Sequence, residues 1–193
     1  MIACEDTRRT RGLLTHFGIH TPTVSYYEHN KLVRGPQLLR RLEDGGSVAL
    51  VTDAGTPGVS DPGFLLVRDA RAAGAAVVPV PGPSAVVTAL SAAGVPGDRF
   101  VFDGFLPVKP GRRLNRLRAL RALETTIVLY ESPHRIVAAL EAIAEVFGDR
   151  ELVVARELTK QFEEIIRAVP AAHLERLRAA APRGEFVLVI PAD

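Results

Sequence analysis

Short apolar runs alternate along the chain with longer segments in which apolar residues recur every three or four positions. The runs at 48–51, 126–130 and 186–190 are short and rich in Val, Leu and Ile, which predicts buried β-strands. The leucines of 114–123 and the apolar positions of 133–147 recur at helical spacing, which predicts amphipathic helices. Strands that alternate with helices in this way indicate an α/β fold.

The same reasoning places elements along the rest of the chain. Further strands are predicted at 2–5, 23–26, 77–80, 100–106, 152–155 and 164–169. Further helices are predicted at 7–17, 35–42, 64–67, 86–90 and 171–181. Residues 107–111, PVKPG, interrupt the pattern and are typical of an interdomain linker. We therefore predict two α/β domains, at 1–106 and 107–193, with a cleft between them that suits a small molecule.

The segment Asp53–Gly63, with the sequence DAGTPGVSDPG, separates a predicted strand from a predicted helix. It contains three glycines, two prolines, two aspartates, a serine and a threonine. Such a composition predicts a compact turn whose backbone N–H groups and short polar side chains face outward. In open α/β sheets, ligands bind at this end of the strands. The alternative is a purely structural connection, although one glycine and one proline would be enough for that.

A second loop, Pro81–Ala85, follows the next predicted strand and has the sequence PGPSA. Gly82 lets the backbone approach a ligand closely, and Ser84 is placed to cap the following helix. Taken alone, this loop is like many ordinary helix caps. The two loops together predict one ligand-binding edge, because the ends of neighbouring parallel strands lie side by side.

Composition excludes several classes of protein. The apolar runs are far shorter than the ~18 residues that a membrane-spanning helix needs. The charged N-terminal sequence, MIACEDTRRT, is unlike a secretory signal peptide, and the single Cys4 fits a reducing cytosol. The net charge of +2 is no strong signal for nucleic acid, so any RNA contact must come from local patches of arginine.

Common catalytic motifs are also absent from the sequence. It contains no GxxxxGK[ST], GxSxG, CxxC or HExxH motif, and no GxGxxG follows a first strand. We therefore predict no metal site, and the P-loop, hydrolase and Rossmann dehydrogenase classes have no support.

Two polar clusters lie near the start of the chain. Arg8 and Arg9 open the first predicted helix and are candidates for holding phosphates, although capping by Asp6 or Thr7 explains the segment about equally well. His29 follows the strand at 23–26. It is a candidate base or base-stacking group, and the alternative is ordinary polar surface.

Two further clusters follow buried strands in the second half. Ser132 is a plausible helix cap, but capping does not explain why Glu131, His134 and Arg135 crowd the same strand end. An exposed ion pair between Glu131 and Arg135 is the structural alternative. Lys160 follows the strand at 152–155 together with other polar side chains. These positions are therefore candidates for a site at the ends of the strands.

Asp53–Gly63 resembles the signature of the ribosomal RNA small subunit methyltransferase I family, which belongs to the tetrapyrrole methylase-like, or class III, methyltransferases. Six further segments resemble that family in the same order: CEDTRRT at 4–10, YEHN at 27–30, PGPSA at 81–85, LSAAGVPGDRFVFDGFLP at 90–107, YESPHR at 130–135 and ARELTK at 155–160. The resemblance implies methyl transfer from S-adenosylmethionine to the 2′-oxygen of a cytidine in small-subunit (16S) rRNA. It also implies a cytoplasmic homodimer of two α/β domains that acts on rRNA or on the assembled small ribosomal subunit, with the cofactor in the interdomain cleft.

The resemblance also implies which residues bind the cofactor. Cofactor contacts are expected from Asp53, Ala54, Gly55, Thr56, Pro57, Val59, Ser84 and Ala85, and from Tyr130, Ala155, Gly184 and Glu185 of the second domain. A ribose hydroxyl is a poor nucleophile, so a base or a positive charge would help it; the candidates are Glu131, His29 and Lys160. Positioning alone is the alternative. RNA contacts are expected from Arg8, Arg9, Arg112, Arg113 and Arg135.

The chain departs from the family pattern at both ends. The family begins with a further strand and a glycine-containing loop that forms part of the cofactor pocket, and many members carry a small C-terminal extension. Neither has a counterpart here, so the first sheet is expected to lack a central strand. Two alternatives stay open. One is a small-molecule methylase of the same superfamily that acts on a tetrapyrrole. The other, which follows from the missing N-terminal segment, is an inactive fragment that binds RNA.

Overall fold

The computed structural model describes residues 1–192 and divides into two compact units, Met1–Ser84 and a second that begins at Ala85. Unit 1 contains β1 (Ile2–Cys4), α1 (Thr7–His16), β2 (Thr23–Ser25), α2 (Lys31–Glu43), β3 (Ala49–Val51) and α3 (Phe64–Ala72). Unit 2 contains α4 (Ala85–Ala93), β4 (Phe100–Phe105), α5 (Pro110–Arg121), β5 (Thr126–Glu131), α6 (Ile136–Phe147), β6 (Leu152–Arg156), β7 (Glu164–Ala168), α7 (Pro170–Ala179) and β8 (Phe186–Ile190). The predicted α/β fold is confirmed.

Unit 1 is built on a three-stranded parallel sheet with the order β2-β1-β3. Cys4 lies opposite both Ser25 and Val51, so the three strands end at one edge of the sheet. The thiol of Cys4 is buried. A small core lies around Tyr26, which packs with Leu38 of α2 and Leu66 of α3.

Unit 2 is built on a five-stranded mixed sheet with the order β4-β5-β8-β6-β7. β4 is parallel to β5, whereas β8 is antiparallel to both of its neighbours. Helices α5, α6 and α7 supply apolar side chains to a large core with one face of the sheet. Helix α4 packs with the alternate residues of the central strands, including Val128 and Val189, so both faces are covered.

Two of the predictions for the fold need comment beyond small shifts of element ends. The run at 77–80 is not a strand: Val78 and Val80 are 78% and 83% exposed, and Pro79 has no N–H to donate to a ladder. The predicted linker at 107–111 lies between β4 and β5, which pair with each other in the sheet of unit 2. The compact units therefore divide before this segment, after Ser84. The division into domains at 1–106 and 107–193 stays a prediction.

None of the helices within residues 1–192 has the length and apolar character that crossing a bilayer requires.

Candidate active site

The glycine-rich segment Asp53–Gly63 forms a folded loop between β3 and α3. Gly55 and Gly58 have φ values of 76° and 84°, which residues with a Cβ rarely adopt. Gly63 is packed so closely that an added Cβ would lie 2.7 Å from the backbone nitrogen of Gly58. The loop therefore turns back on itself, and its glycines are required for that shape.

The two loops that were predicted to form one edge are in contact. Thr56 Oγ1 donates a hydrogen bond of 2.9 Å to the backbone carbonyl of Pro83, the residue before Ser84. An added Cβ at Gly55 would meet nothing within 4 Å, so the turn is open to solvent there. The other cofactor candidates in the first loop are exposed or half-buried: Ala54, Pro57 and Val59.

Asp53 joins the first loop to the start of α1. Its Oδ1 accepts a hydrogen bond of 3.3 Å from the backbone N–H of Asp6, and its Oδ2 lies 3.2 Å from Arg9 Nη1. Asp6 in turn caps α1 by accepting from the backbone N–H of Arg8 at 2.8 Å. Hydrogen bonds from the side chain and backbone of Arg8 lower the pKa of the Asp6 carboxyl to about 2. This edge is therefore tied together by charge-assisted contacts.

Four residues near the loop were not among the site candidates identified from the sequence: Glu5, Tyr26, Thr52 and Asp61. They contribute to the lining of a cavity of about 10 Å³, which is room for a single water molecule. Thr52 Oγ1 donates to Asp61 Oδ1 at 2.9 Å. Burial, together with the nearby carboxylate of Asp53, raises the pKa of the Asp61 carboxyl. The signal that could have found Asp61 is its place in the DAGTPGVSDPG segment itself.

His29 lies in a turn after β2. Its exposed ring packs edge-to-face with the Tyr27 ring, and the two ring centroids lie 6.0 Å apart. Asn30 holds the turn: its Oδ1 accepts from the backbone N–H of Tyr27 at 2.8 Å, and its Nδ2 donates to the carbonyl of Ser25 at 3.2 Å. The turn that carries the candidate imidazole is therefore tied to the end of β2 by hydrogen bonds of Asn30.

Glu131 ends β5, and its side chain is only 2% exposed. Its Oε1 accepts from the backbone N–H of Ser132 at 2.8 Å and from Arg135 Nε at 2.8 Å. Arg135 also donates to the carbonyl of Leu106 at 3.3 Å and lies over the ring of Phe105. The sequence allowed for an exposed pair; the structure shows a buried one. It joins the end of β5 to the residues that enter α6.

The remaining strand and helix candidates of unit 2 differ in accessibility. Tyr130 on β5 is half-buried, with its ring edge-on to Phe102 at 4.7 Å between centroids. Ala85 begins α4 and is also half-buried. Ala155 on β6 has no exposed surface, which is at odds with a direct contact to a cofactor.

Lys160 belongs to a compact ionic cluster. Its Nζ lies 2.8 Å from Glu157 Oε1 and 2.9 Å from Glu185 Oε2, and these hydrogen bonds raise the pKa of the ammonium. Glu157 Oε1 also accepts from the backbone N–H of Glu185 at 2.9 Å. Gly184 leaves room for this carboxylate, since an added Cβ would lie 2.5 Å from Glu157 Cγ. Lys160 is therefore a protonated ammonium bound by two carboxylates, and it is unsuited to act as a base.

Three of the predicted RNA contacts are exposed arginines. Arg8 and Arg9 of α1 have side chains that are 88% and 70% exposed, although each pairs with an aspartate. Arg112 is exposed on α5. These three side chains are accessible to a nucleic acid.

The other two predicted RNA contacts are engaged within unit 2. Arg113 is buried, and its Nη2 donates to the carbonyl of Val108 at 2.9 Å. This burial contradicts its assignment to RNA, and the reason is helical spacing: Arg113 shares the buried face of α5 with Leu117 and Leu120. Arg135 is held by Glu131, as described above, and its side chain is 28% exposed.

Comparison with known proteins identifies the class. A family model described as Tetrapyrrole (Corrin/Porphyrin) Methylases matches residues 1–174. The chain belongs to the tetrapyrrole (corrin/porphyrin) methylase family.

Individual curated proteins are also similar to the chain. Ribosomal RNA small subunit methyltransferase I of Mesorhizobium japonicum is 49% identical over 100% of this chain and 67% of its own length. The protein of the same name from Pseudomonas aeruginosa is 48% identical over 98% of this chain and 68% of its own length. The resemblance inferred from seven sequence segments is confirmed.

Solved structures share the fold at much lower identity. A diphthine synthase aligns with 100% of this chain and 78% of its own, with a TM-score of 0.75 and 15% identity. Uroporphyrin-III C-methyltransferase from Thermus thermophilus, complexed with S-adenyl homocysteine, aligns with 97% of this chain and 84% of its own, with a TM-score of 0.63 and 16% identity. This likeness concerns the fold alone.

Proposed function

We propose that this protein transfers a methyl group from S-adenosylmethionine to the 2′-oxygen of a cytidine in small-subunit rRNA. The observation that carries the proposal is 48–49% identity, over nearly the whole chain, to proteins named ribosomal RNA small subunit methyltransferase I. The match of residues 1–174 to a methylase family supports the same class of reaction.

The loops of unit 1 fit a cofactor of this kind. The hydrogen bond from Thr56 to Pro83 joins the two loops, and the neighbouring residues Ala54 and Gly55 are exposed. Asp53 adds a carboxylate beside them. S-adenosylmethionine offers both donors and acceptors to such a surface, and when bound it supplies an electrophilic methyl group on a sulfonium. We assign these loop residues to its binding.

Most of the catalysis then comes from positioning, because an in-line displacement depends on the alignment of the attacking oxygen. Glu131 is unsuited to act as a base, since its Oε1 already receives hydrogen bonds from Ser132 and Arg135. Lys160 holds a proton and can supply positive charge. His29 is exposed and can take the proton of the 2′-hydroxyl, so we assign it as the candidate base.

The partners follow from the substrate. We propose that the protein acts in the cytoplasm as a homodimer, on rRNA or on the assembled small ribosomal subunit. Arg8, Arg9 and Arg112 are the exposed cations assigned to the RNA backbone.

The proposal is tested in two steps with the chain as it stands. Calorimetry with S-adenosylmethionine measures cofactor binding. Transfer of a labelled methyl group to small ribosomal subunits and to protein-free small-subunit rRNA is then followed by nuclease digestion and mass spectrometry. We expect cofactor binding and a label on the ribose of a cytidine. A label on a base, or transfer to a tetrapyrrole but not to either RNA, contradicts the proposal.

A further inference from the structure

An open groove of about 270 Å³ lies at the edge of unit 1 where β1 and β2 end, lined by Glu5, Asp6, Thr7, Arg8, Ser25 and Tyr27. Its volume is close to the lower end of the range for small-molecule sites, about 300–1,000 Å³. The groove adjoins the cofactor loops, because the backbone N–H of Asp6 donates to Asp53 at 3.3 Å. It combines an aromatic ring, carboxylates, an arginine and hydroxyl groups, and such side chains recognise nucleotides.

Tyr27 supplies the aromatic part of the groove lining. Its side chain is partly exposed, whereas its backbone is held by Asn30 at 2.8 Å. Asn30 Nδ2 also donates to Ser25 Oγ at 3.1 Å, so the end of β2 and the turn form one hydrogen-bonded unit. Unstacked RNA bases stack on accessible aromatic side chains of this kind.

The two carboxylates of the groove differ in what they already bind. Asp6 is occupied, since Arg8 donates to it from its backbone N–H and from both Nε and Nη2. Glu5 is exposed, and its only hydrogen-bond contact in the described structure is Thr52 Oγ1 at 3.4 Å. Thr52 has one hydroxyl hydrogen and lies closer to Asp61, at 2.9 Å. Glu5 therefore keeps its capacity to accept hydrogen bonds.

We propose that this groove holds the target base, that Tyr27 stacks on it, and that the Glu5 carboxylate selects cytosine by accepting from its exocyclic N4 amine. A uracil presents a carbonyl oxygen at the same position, which a carboxylate repels. Arg8, at the rim of the groove, is placed for the adjoining phosphate. The inference rests on the proposed function and names the residue that sets its base specificity.

The test compares small ribosomal subunits, reconstituted with rRNA, that carry cytidine or uridine at the methylated position. The measured quantity is the ratio of kcat/KM for the two substrates. Glu5→Gln replaces the carboxylate with an amide that can pair with either base, so we expect the preference for cytidine to fall about tenfold or more. Glu28→Gln is the matched control, since Glu28 is an exposed acid of the same unit that pairs with Lys31. Tyr27→Ala should raise KM, and Tyr27→Phe should restore it.

A second measurement uses the unaltered protein, so it does not depend on how a variant folds. Cytidine 5′-monophosphate should shift the NMR signals of the Tyr27 ring more strongly than uridine 5′-monophosphate does. The assignment is overturned if neither nucleotide shifts Tyr27, or if Glu5→Gln binds S-adenosylmethionine normally and keeps the full cytidine preference. If wild-type protein methylates neither the cytidine-containing nor the uridine-containing subunits, the proposed function itself is contradicted. That result is distinguishable from the two outcomes that overturn the assignment of Glu5 and Tyr27.

Discussion

The sheets of the two units are buried to very different degrees. In unit 2, all five residues of β8 and the first four of β6 are buried. In unit 1 each strand is three residues long, and only β1 is buried throughout, whereas β2 and β3 are half-buried or exposed. Both units are α/β, yet one is dominated by its core and the other by the loops at the ends of its strands.

This difference separates stability from ligand binding. Loops that bind ligands are drawn from the less stable parts of a protein, because they must expose backbone groups and move. The loops of unit 1 that we assign to the cofactor expose Ala54 and Gly55 beside a thin sheet. In unit 2, by contrast, the candidate Glu131 is held in an ion pair with Arg135, and its carboxylate side chain is only 2% exposed. The predictions below test this contrast.

The largest effect is expected for truncation in the core of unit 2. Leu129→Ala in β5 should lower the free energy of unfolding by about 3–5 kcal/mol, because the side chain is fully buried and leaves a cavity. Leu50→Ala in β3 should cost clearly less, since Leu50 is only partly buried. Denaturant unfolding followed by circular dichroism measures both. Equal losses would contradict the contrast between the units.

Breaking the buried ion pair of unit 2 should come next. Arg135→Met leaves the Glu131 carboxylate buried without its cation, so we expect a loss of about 3 kcal/mol in the free energy of unfolding. The double variant with Glu131→Gln should recover part of that loss. In Glu131→Gln alone, turnover should follow the folded fraction. A fully folded variant with turnover reduced by about 10²–10⁴ would instead make Glu131 a base.

Loss of Asp53 tests the loops of unit 1. Asp53→Ala removes the acceptor for the backbone N–H of Asp6 and the partner of Arg9, so the affinity for S-adenosylmethionine should weaken by about 1.5–3 kcal/mol. Asp69→Ala is the control, because Asp69 pairs with its neighbour Arg68 on the outside of α3. Calorimetry compares the two variants. Unchanged affinity in a folded Asp53→Ala protein removes this residue from the site.

The arginines should divide by exposure in their effect on RNA binding. The affinity for RNA falls as the salt concentration rises, and each phosphate contact makes that dependence steeper. Arg8→Ala and Arg112→Ala should each make the slope of log affinity against log salt shallower by roughly 0.7–0.9. Arg113→Ala should leave that slope unchanged and reduce stability, since Arg113 is buried against Val108. Filter binding of small-subunit rRNA over a range of salt concentrations gives the slopes. A reduced slope for Arg113→Ala would show that this side chain reaches the RNA.

The smallest effect concerns a buried histidine of unit 2. Burial lowers the pKa of His173 below its ordinary value of 6.5, and its Nε2 contacts the carbonyl of Leu152 at 3.2 Å. As the pH falls below 6.5, the unfolded chain takes up a proton that the folded chain resists. The free energy of unfolding should therefore decrease as the pH is lowered from 7.5 to 5.5. His173→Gln should flatten this decrease, and a variant with the wild-type pH dependence would assign it to another group.

Much of the fold could be predicted because short apolar runs and helical periodicity report burial directly. The strand at 186–190 was predicted with the bounds that β8 has. The run at 77–80 was predicted wrongly, because an apolar run does not show whether a neighbouring strand is available to pair with it. Helix α6 starts at Ile136 rather than at Pro133, because a turn follows Ser132.

The candidate site was predictable at the level of loops and less so at the level of partners. The sequence identified the segments around Asp53 and Pro81–Ala85, and the structure joins them through Thr56. It could not show that Glu131 is buried with Arg135, or that Arg113 faces the core, because a charged residue on a helix or strand end is usually exposed. Such pairings depend on contacts between elements that are distant in sequence.

The position of β8 in its sheet has a consequence for biosynthesis. β8 lies between β5 and β6, although it follows both in the chain by at least thirty residues. During translation, at about 5–20 residues per second, β5 and β6 therefore present unpaired edges for seconds before their shared neighbour is made. The nascent sheet is exposed to wrong pairing over that interval. Ribosome-bound chains that stop before residue 186 should accordingly be far more sensitive to protease than chains that include residue 190.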